Sequence, residues 1–425
     1  MRVSRIWFGM ILFTGLLGCA TEVNEADWAT WDTDESALVE ASTAAQVALK
    51  GAVTETCDES CLIRQWILDE RYDEVREVLA AQVNMAPDDV ETHLLLAATN
   101  MRDEMYDKAY EMADRLIPVH DDVRLRETRA YASLLAHDVE TAAHDFNDTI
   151  EALQSFEPET RHTICDAVTG HCAAPTQREA YAWLGLATAE YNRHNLERAS
   201  EIVDDLMNAK AFVGAFEPSA GRFIRALVAS KRGDDETAKS HYEAILAKFP
   251  NDPASLVNLG GIAYRSGDLD TARRLQTQAF EYAGRHRRTA AIAWSNVAEI
   301  DMLEGQYEAA LDKANEAILT SRGFAGGYFQ LAVIHDVLGN AAESLSAMKH
   351  ALELDTQGVS RWNISMFNAD WEAHFAGLIA EAQGRTESAS RHWHTLLESD
   401  DETLQGIAKR HLSSLLERSG ENCPQ

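Results

Sequence analysis

The stretch EGQYEAALDKANEAI, Glu304–Ile318, sets a glycine at 305, an aromatic ring at 307 and alanines at 310, 314 and 317. Small and apolar residues returning at steps of three and four mark one face of a helix, and a glycine just before it marks a break. On the far side of that break, Ala298 lies twelve residues before Ala310. The same step joins Ala97 to Ala109, Ala187 to Ala199, Ala226 to Ala238, Gly260 to Ala272, Ala332 to Ser344 and Gly377 to Ala389. Ala130 with Ala142, and more loosely Ile63 with Val75, extend it. In five units a glycine stands five residues before the second member, at 233, 267, 305, 339 and 384. Ala238, Ala272, Ala310 and Ser344 follow at separations of 34, 38 and 34.

Two antiparallel helices joined by a tight turn approach closely only where both carry small side chains at the crossing, and glycine accepts the backbone angles of the turn. One such hairpin cannot bury its apolar face alone, whereas stacked copies can, so this period predicts a solenoid. At these residues the chain resembles the tetratricopeptide-repeat family, whose unit is a helix–turn–helix of about 34 residues. Trp294, Val297 and Ala298 match the first-helix signature, Gly305 and Tyr307 the turn, and Ala310 and Ala317 the second helix. Trp183, Leu186 and Ala187 repeat the first half, while Gly233, Ala238, Tyr242 and Pro250 repeat the second. The resemblance covers about residues 56–402 and implies an all-α, right-handed superhelical solenoid of about nine hairpins. Two departures stand out: EPETRHTICDAVTGHCAAPTQ is inserted between helices before Ala187, and TQGVSRWNISMFNAD lengthens the step before Gly384. The last helix, TLQGIAKRHLSSLLER, has no following partner and reads as a cap.

The 425 residues are 46% hydrophobic, ample for a large core, and their net charge of −31 argues against a nucleic-acid partner, which needs a basic stripe. The start differs from the rest. Arg2 and Arg5, an apolar run from Ile6 to Leu17 and a small Gly18 form an export signal too short to span a bilayer comfortably. Leu16-Leu17-Gly18-Cys19 resembles the lipobox of bacterial lipoproteins, which implies lipidation at Cys19 after cleavage; a plain secretory signal or short anchor is the alternative. Ala20 replaces the Asp that in that family often retains a protein at the inner membrane, so the expected location is the outer membrane facing the periplasm. Expected boundaries are a signal peptide at 1–18, an acidic tether at 19–55, repeats at 56–157, a Cys-bearing loop at 158–176, repeats at 177–402 and a cap with tail at 403–425.

Export allows disulfides. Cys165 with Cys172, flanking a short polar loop, is the leading pair; Cys57 with Cys61 requires Cys57 to precede a helix, and Cys423 is left over. His162, Cys165, His171 and Cys172 also have the residue types of a zinc site, so a metal-binding protein or an enzyme working in 158–176 is the alternative reading. No metal, cofactor or catalytic arrangement is otherwise expected, and His392, His394 and His411 read as surface or packing residues. Asn258, Asn296 and Gln330 occupy one register position in three successive first helices, two before the small residue. A column of amides can donate to and accept from an extended peptide backbone, and it is similar to the asparagine ladder of some members of the family; bonding between neighbouring helices is the plainer reading. Phe223, Val257, Phe329 and Tyr264 are expected to line the same groove. The expected function is a non-catalytic, membrane-tethered scaffold binding peptide or helical segments of protein partners in the cell envelope.

Overall fold

The computed structural model describes residues 59–155, 164–165, 172–214, 216–284, 286–355 and 369–419. The signal, Cys19, the acidic tether, Cys57, His162, His171 and Cys423 lie outside the described residues. Nineteen α-helices follow one another among those described, and the chain divides into two compact units between Ile224 and Arg225. The result is an all-α solenoid of helical hairpins in each unit.

In the unit ending at Ile224 the hairpins are α1 (Glu59–Leu68) with α2 (Tyr72–Met85), α3 (Val90–Arg102) with α4 (Tyr106–Leu116), α5 (Val123–Leu135) with α6 (Val139–Gln154), and α7 (Pro175–Asn192) with α8 (Leu196–Asn208). Ala97, Ala109, Ala130, Ala142, Ala187 and Ala199 are all buried where the paired helices cross. With nothing beyond Cβ to separate them, the helix backbones pack closely and the larger residues fill the flanks. The turns hold a surprise. Glu70, Glu104, His137 and His194 take φ of 61 to 66°, at the register position that glycine holds later in the chain. Asp89, Asp122 and Asp138 cap the following helices by accepting backbone N–H bonds.

The inserted loop contains a minimal antiparallel ladder, β1 (Ile164–Cys165) with β2 (Cys172–Ala173), where no strand was expected. Cys165 stands directly opposite Cys172 in its register. Helices α6 and α7 pack on each other on either side of the insertion.

The second unit opens within α9 (Pro218–Lys231) and continues with α10 (Asp235–Lys248), α11 (Pro253–Arg265), α12 (Leu269–Ala283), α13 (Arg287–Leu303), α14 (Tyr307–Thr320), α15 (Ala325–Val337), α16 (Ala341–Leu354), α17 (Ala369–Ala382), α18 (Thr386–Leu396) and α19 (Glu402–Ser419). Here the five predicted turn glycines do take positive φ, from 69 to 86°, a region where L side chains are strained. Asp234, Asp252 and Asp268 cap the next helices through the backbone N–H groups of Thr237, Ser255 and Thr271. First helices α11, α13, α15 and α17 each pack on their hairpin partner and also on the next first helix, so they form one continuous wall within this unit. The terminal α19 packs on α18 and also reaches α15 and α17; Leu404, Ile407 and Ala408 are buried in the way a further first helix would bury them.

Candidate binding surface

The first-helix wall of the second unit gathers most of the residues expected to bind, but most are less accessible than an open groove requires. Asn258 is 1% exposed and Gln330 3%. Gln330 lies between helices: its Nε2 donates to the Ser295 carbonyl at 2.9 Å, and its Oε1 accepts from Ser295 Oγ at 3.0 Å. That is the plainer, inter-helix role, and the wall's close packing is its cause. Asn258 Nδ2 donates to the Ala254 carbonyl one turn back, at 2.7 Å. Its Oδ1 and the Nδ2 of half-buried Asn296 are buried with no hydrogen-bond partner. Val257 and Phe329 are correct in register but sit in the core at 1% and 0% exposure, so they support the wall rather than line a groove. Phe223, in the other unit, is likewise core.

Tyr264 is half-buried, and its hydroxyl donates to Glu299 Oε1 at 2.8 Å across from α11 to α13. Burial, opposed only by this hydrogen bond, pushes the Glu299 carboxyl up to about 7. Burial and the adjacent carboxylate hold the Tyr264 phenol above its ordinary value. The cation one residue on, Arg265, is already engaged: its guanidinium pairs with Asp235 and donates to Ser230 Oγ at 2.9 Å.

Sequence reasoning missed a buried ionic cluster at the end of the same wall. His411 of α19 places Nε2 2.9 Å from Asp336 Oδ1 and Nδ1 2.6 Å from Glu381 Oε1. Each ring nitrogen faces a carboxylate oxygen, so both carry protons and His411 is an imidazolium. Its ring stacks on Trp393 at 4.2 Å, and Trp393 Nε1 donates to Glu381 at 2.7 Å. His374 Nε2 donates to Asp336 Oδ2 at 2.6 Å, and Arg410 reaches the same carboxylate at 3.0 Å. Burial works against the His411 charge, but the hydrogen bonds to Asp336 and Glu381 win and push its pKa up to about 9. Burial would raise Asp336, yet its bonds from His374 and His411 hold it well below the usual carboxylate range. A cavity of about 60 Å³ lies beside the cluster, bordered by Ser344, Met348 and His411. Asp336 and Glu381 stand four residues after Ala332 and Gly377, the register position of Tyr264 after Gly260, and that shared register was the available signal.

Cys61 is disulfide-bonded. Among the described residues, one group has the spacing of metal ligands, His144, Asp145 and Asp148 on α6. Arg129 already occupies it, donating to both oxygens of Asp145 at 2.7 and 3.0 Å and standing 3.7 Å from Asp148. No described helix is long and apolar enough to cross a membrane.

No protein-family model and no curated sequence matches this chain. Among solved structures, a chain of the APC/C hetero-tetramer Cut9–Hcn1 is similar with a TM-score of 0.43 at 15% identity, over 82% of this chain and 59% of that one. The match thus spans less than two thirds of that longer protein. PilF of Pseudomonas aeruginosa is similar with a TM-score of 0.39 at 15% identity, over 55% of this chain and 99% of its own. PilW, a widely conserved type IV pilus biogenesis factor, is similar with a TM-score of 0.37 at 15% identity, over 54% of this chain and 97% of its own.

Proposed function

We propose that this chain is a non-catalytic, lipid-tethered scaffold of the bacterial cell envelope that holds a segment of another protein against its first-helix wall. The observation that carries this reading is the pair of unpartnered amide groups on successive first helices. Asn258 holds an acceptor and Asn296 a donor in the same register, each enclosed and unsatisfied in the unbound wall, so a bound backbone reaches them where the two side chains turn outward. Buried polar groups are ordinarily paired, and an extended backbone supplies one N–H and one C=O per residue without demanding a particular sequence. The strongly acidic composition keeps such a scaffold soluble and selects against acidic partners.

Photo-crosslinking in the native host tests it. A photoreactive residue at Tyr264 is expected to capture one defined protein, whereas the same group at Lys239, on the outward side of a second helix, captures none. Equal capture from both positions would place binding elsewhere.

The anchor is part of the proposal. The sequence around Cys19 supports acylation of that cysteine, and the Cys165–Cys172 register supports a disulfide in an oxidising compartment. Mass spectrometry of non-reduced peptides should show a diacylated or triacylated Cys19 at the N-terminus and Cys165 joined to Cys172. An unmodified Cys19, or stoichiometric zinc with both thiols reduced, would remove those parts of the account.

A further inference from the structure

Glu299 is an acid on the first-helix wall with no cation beside it. Among the described residues Tyr264 is its one hydrogen-bonding partner, holding one carboxylate oxygen and leaving the other free. Among the described residues, the cations that turn toward the wall are committed elsewhere, and Arg274 of α12 is exposed to solvent and acts on Asp268. Arg265 of α11 is held by Asp235 and Ser230, and Arg273 of α12 pairs with Asp301 and, at 2.9 Å, with Glu304. At the start of α13 itself, Arg288 donates to the Gly323 carbonyl at 3.1 Å and lies over the Phe324 ring. Lys313 of α14 lies over Trp294 at 4.2 Å. On α15, Asp336 is saturated by His374, His411 and Arg410, and His335 contacts Asn340. Neither a balancing positive charge nor a second acid acts on Glu299, whose titration is set by burial and by Tyr264 alone. An acid desolvated without a countercharge is costly in the charged form, and a ligand cation removes that cost.

We propose that Glu299 and Tyr264 form a subsite that receives a lysine ammonium from the bound polypeptide. One free carboxylate oxygen favours a compact ammonium over a guanidinium, whose planar fork needs two. The half-buried state of both side chains leaves the pair reachable from the wall while keeping it largely out of water. This inference rests on the reading that the wall holds a polypeptide, and it adds the chemistry of one side chain of that polypeptide.

The experiment is calorimetric titration of the full-length protein in detergent with n-butylammonium, a lysine side-chain mimic, at pH 6 and pH 8. A group titrating near 7 is about one-tenth ionised at pH 6 and about nine-tenths at pH 8, so the association constant is expected to rise roughly tenfold. Glu299→Gln keeps the size and the acceptor for Tyr264, and should abolish both the binding and its pH dependence. Tyr264→Phe, which removes the bond that favours the charged form, should retain binding with its midpoint displaced to higher pH. Pentanol, the neutral analogue, should not bind, and n-butylguanidinium should bind no more tightly than the ammonium. Binding that is unchanged in Glu299→Gln, pH-independent, or absent overturns the proposal, and tighter guanidinium binding overturns the choice of lysine. Crosslinking from Tyr264 reports separately on the polypeptide reading, so either result can fail without the other.

Discussion

Replacing Asp336 by Ala should loosen the end of the chain by about 3–5 kcal/mol, the usual cost of stripping one partner from a buried ionic cluster. Asp336 is fully buried and accepts from His374, His411 and Arg410, which come from two other helices. Its removal leaves an imidazolium with Glu381 alone and a guanidinium without its carboxylate. Because a solenoid is held by nearest-neighbour interfaces, the loss should be local to α15, α17 and α19. In hydrogen exchange, α19 amides should lose on the order of a hundredfold to several thousandfold in protection, while α3 to α6 stay unchanged. The cluster also fixes a pH dependence. His411 is raised from 6.5 to about 9, so its contribution is complete below about 6.5 and is lost as pH climbs through 9. Asp336 is depressed, so its contribution is present above about 3.8 and is lost as pH falls further. The wild-type cap should therefore weaken between pH 7 and 10 by more than the Asp336→Ala variant does. Parallel alkaline profiles would show that His411 is not clamped as an ion.

Phe146→Ala should cost the first unit about 3–5 kcal/mol, because the ring is fully buried and its space cannot collapse easily. The ring meets Tyr131 of α5 edge-on, with centroids 4.8 Å apart. It also fills the space left by the missing side chain at Gly185 of α7, where an added Cβ would lie 2.3 Å from Phe146 Cε1. Gly185→Ala alone should then cost about 1–3 kcal/mol by overpacking. In the double variant the new methyl enters the cavity left by the ring, so the two costs should sum to less than their separate values. Urea unfolding followed on the unit's own tryptophans measures this, and strict additivity would mean that Phe146 and Gly185 do not share one space.

The hairpins were legible because their cause is local and repeated. A small residue, twelve positions and another small residue state a helix crossing directly, and every alanine of those pairs is buried. Turn glycines were legible in the second unit only. In the first unit Glu70, Glu104, His137 and His194 accept the left-handed conformation, so the turn leaves no residue-type signature while the crossing still does. The ionic cluster was not legible in that way. In sequence His411 reads as a surface or packing residue, yet its partners lie 30 and 75 positions back, at Glu381 and Asp336, and only the packing of α19 on the wall joins them. The amide column shows the remaining limit. Register placed Asn258, Asn296 and Gln330 on one wall, but it could not show that Gln330 is consumed by Ser295 while the other two keep a free group.

The most direct test of the account is the Tyr264 crosslink repeated in an Asn258→Ala/Asn296→Ala background. Losing two hydrogen bonds worth about 1 kcal/mol each should weaken the captured partner roughly thirtyfold, and adduct yield at limiting partner should fall accordingly. An undiminished yield from a folded double variant would contradict the claim that this wall holds the partner's backbone.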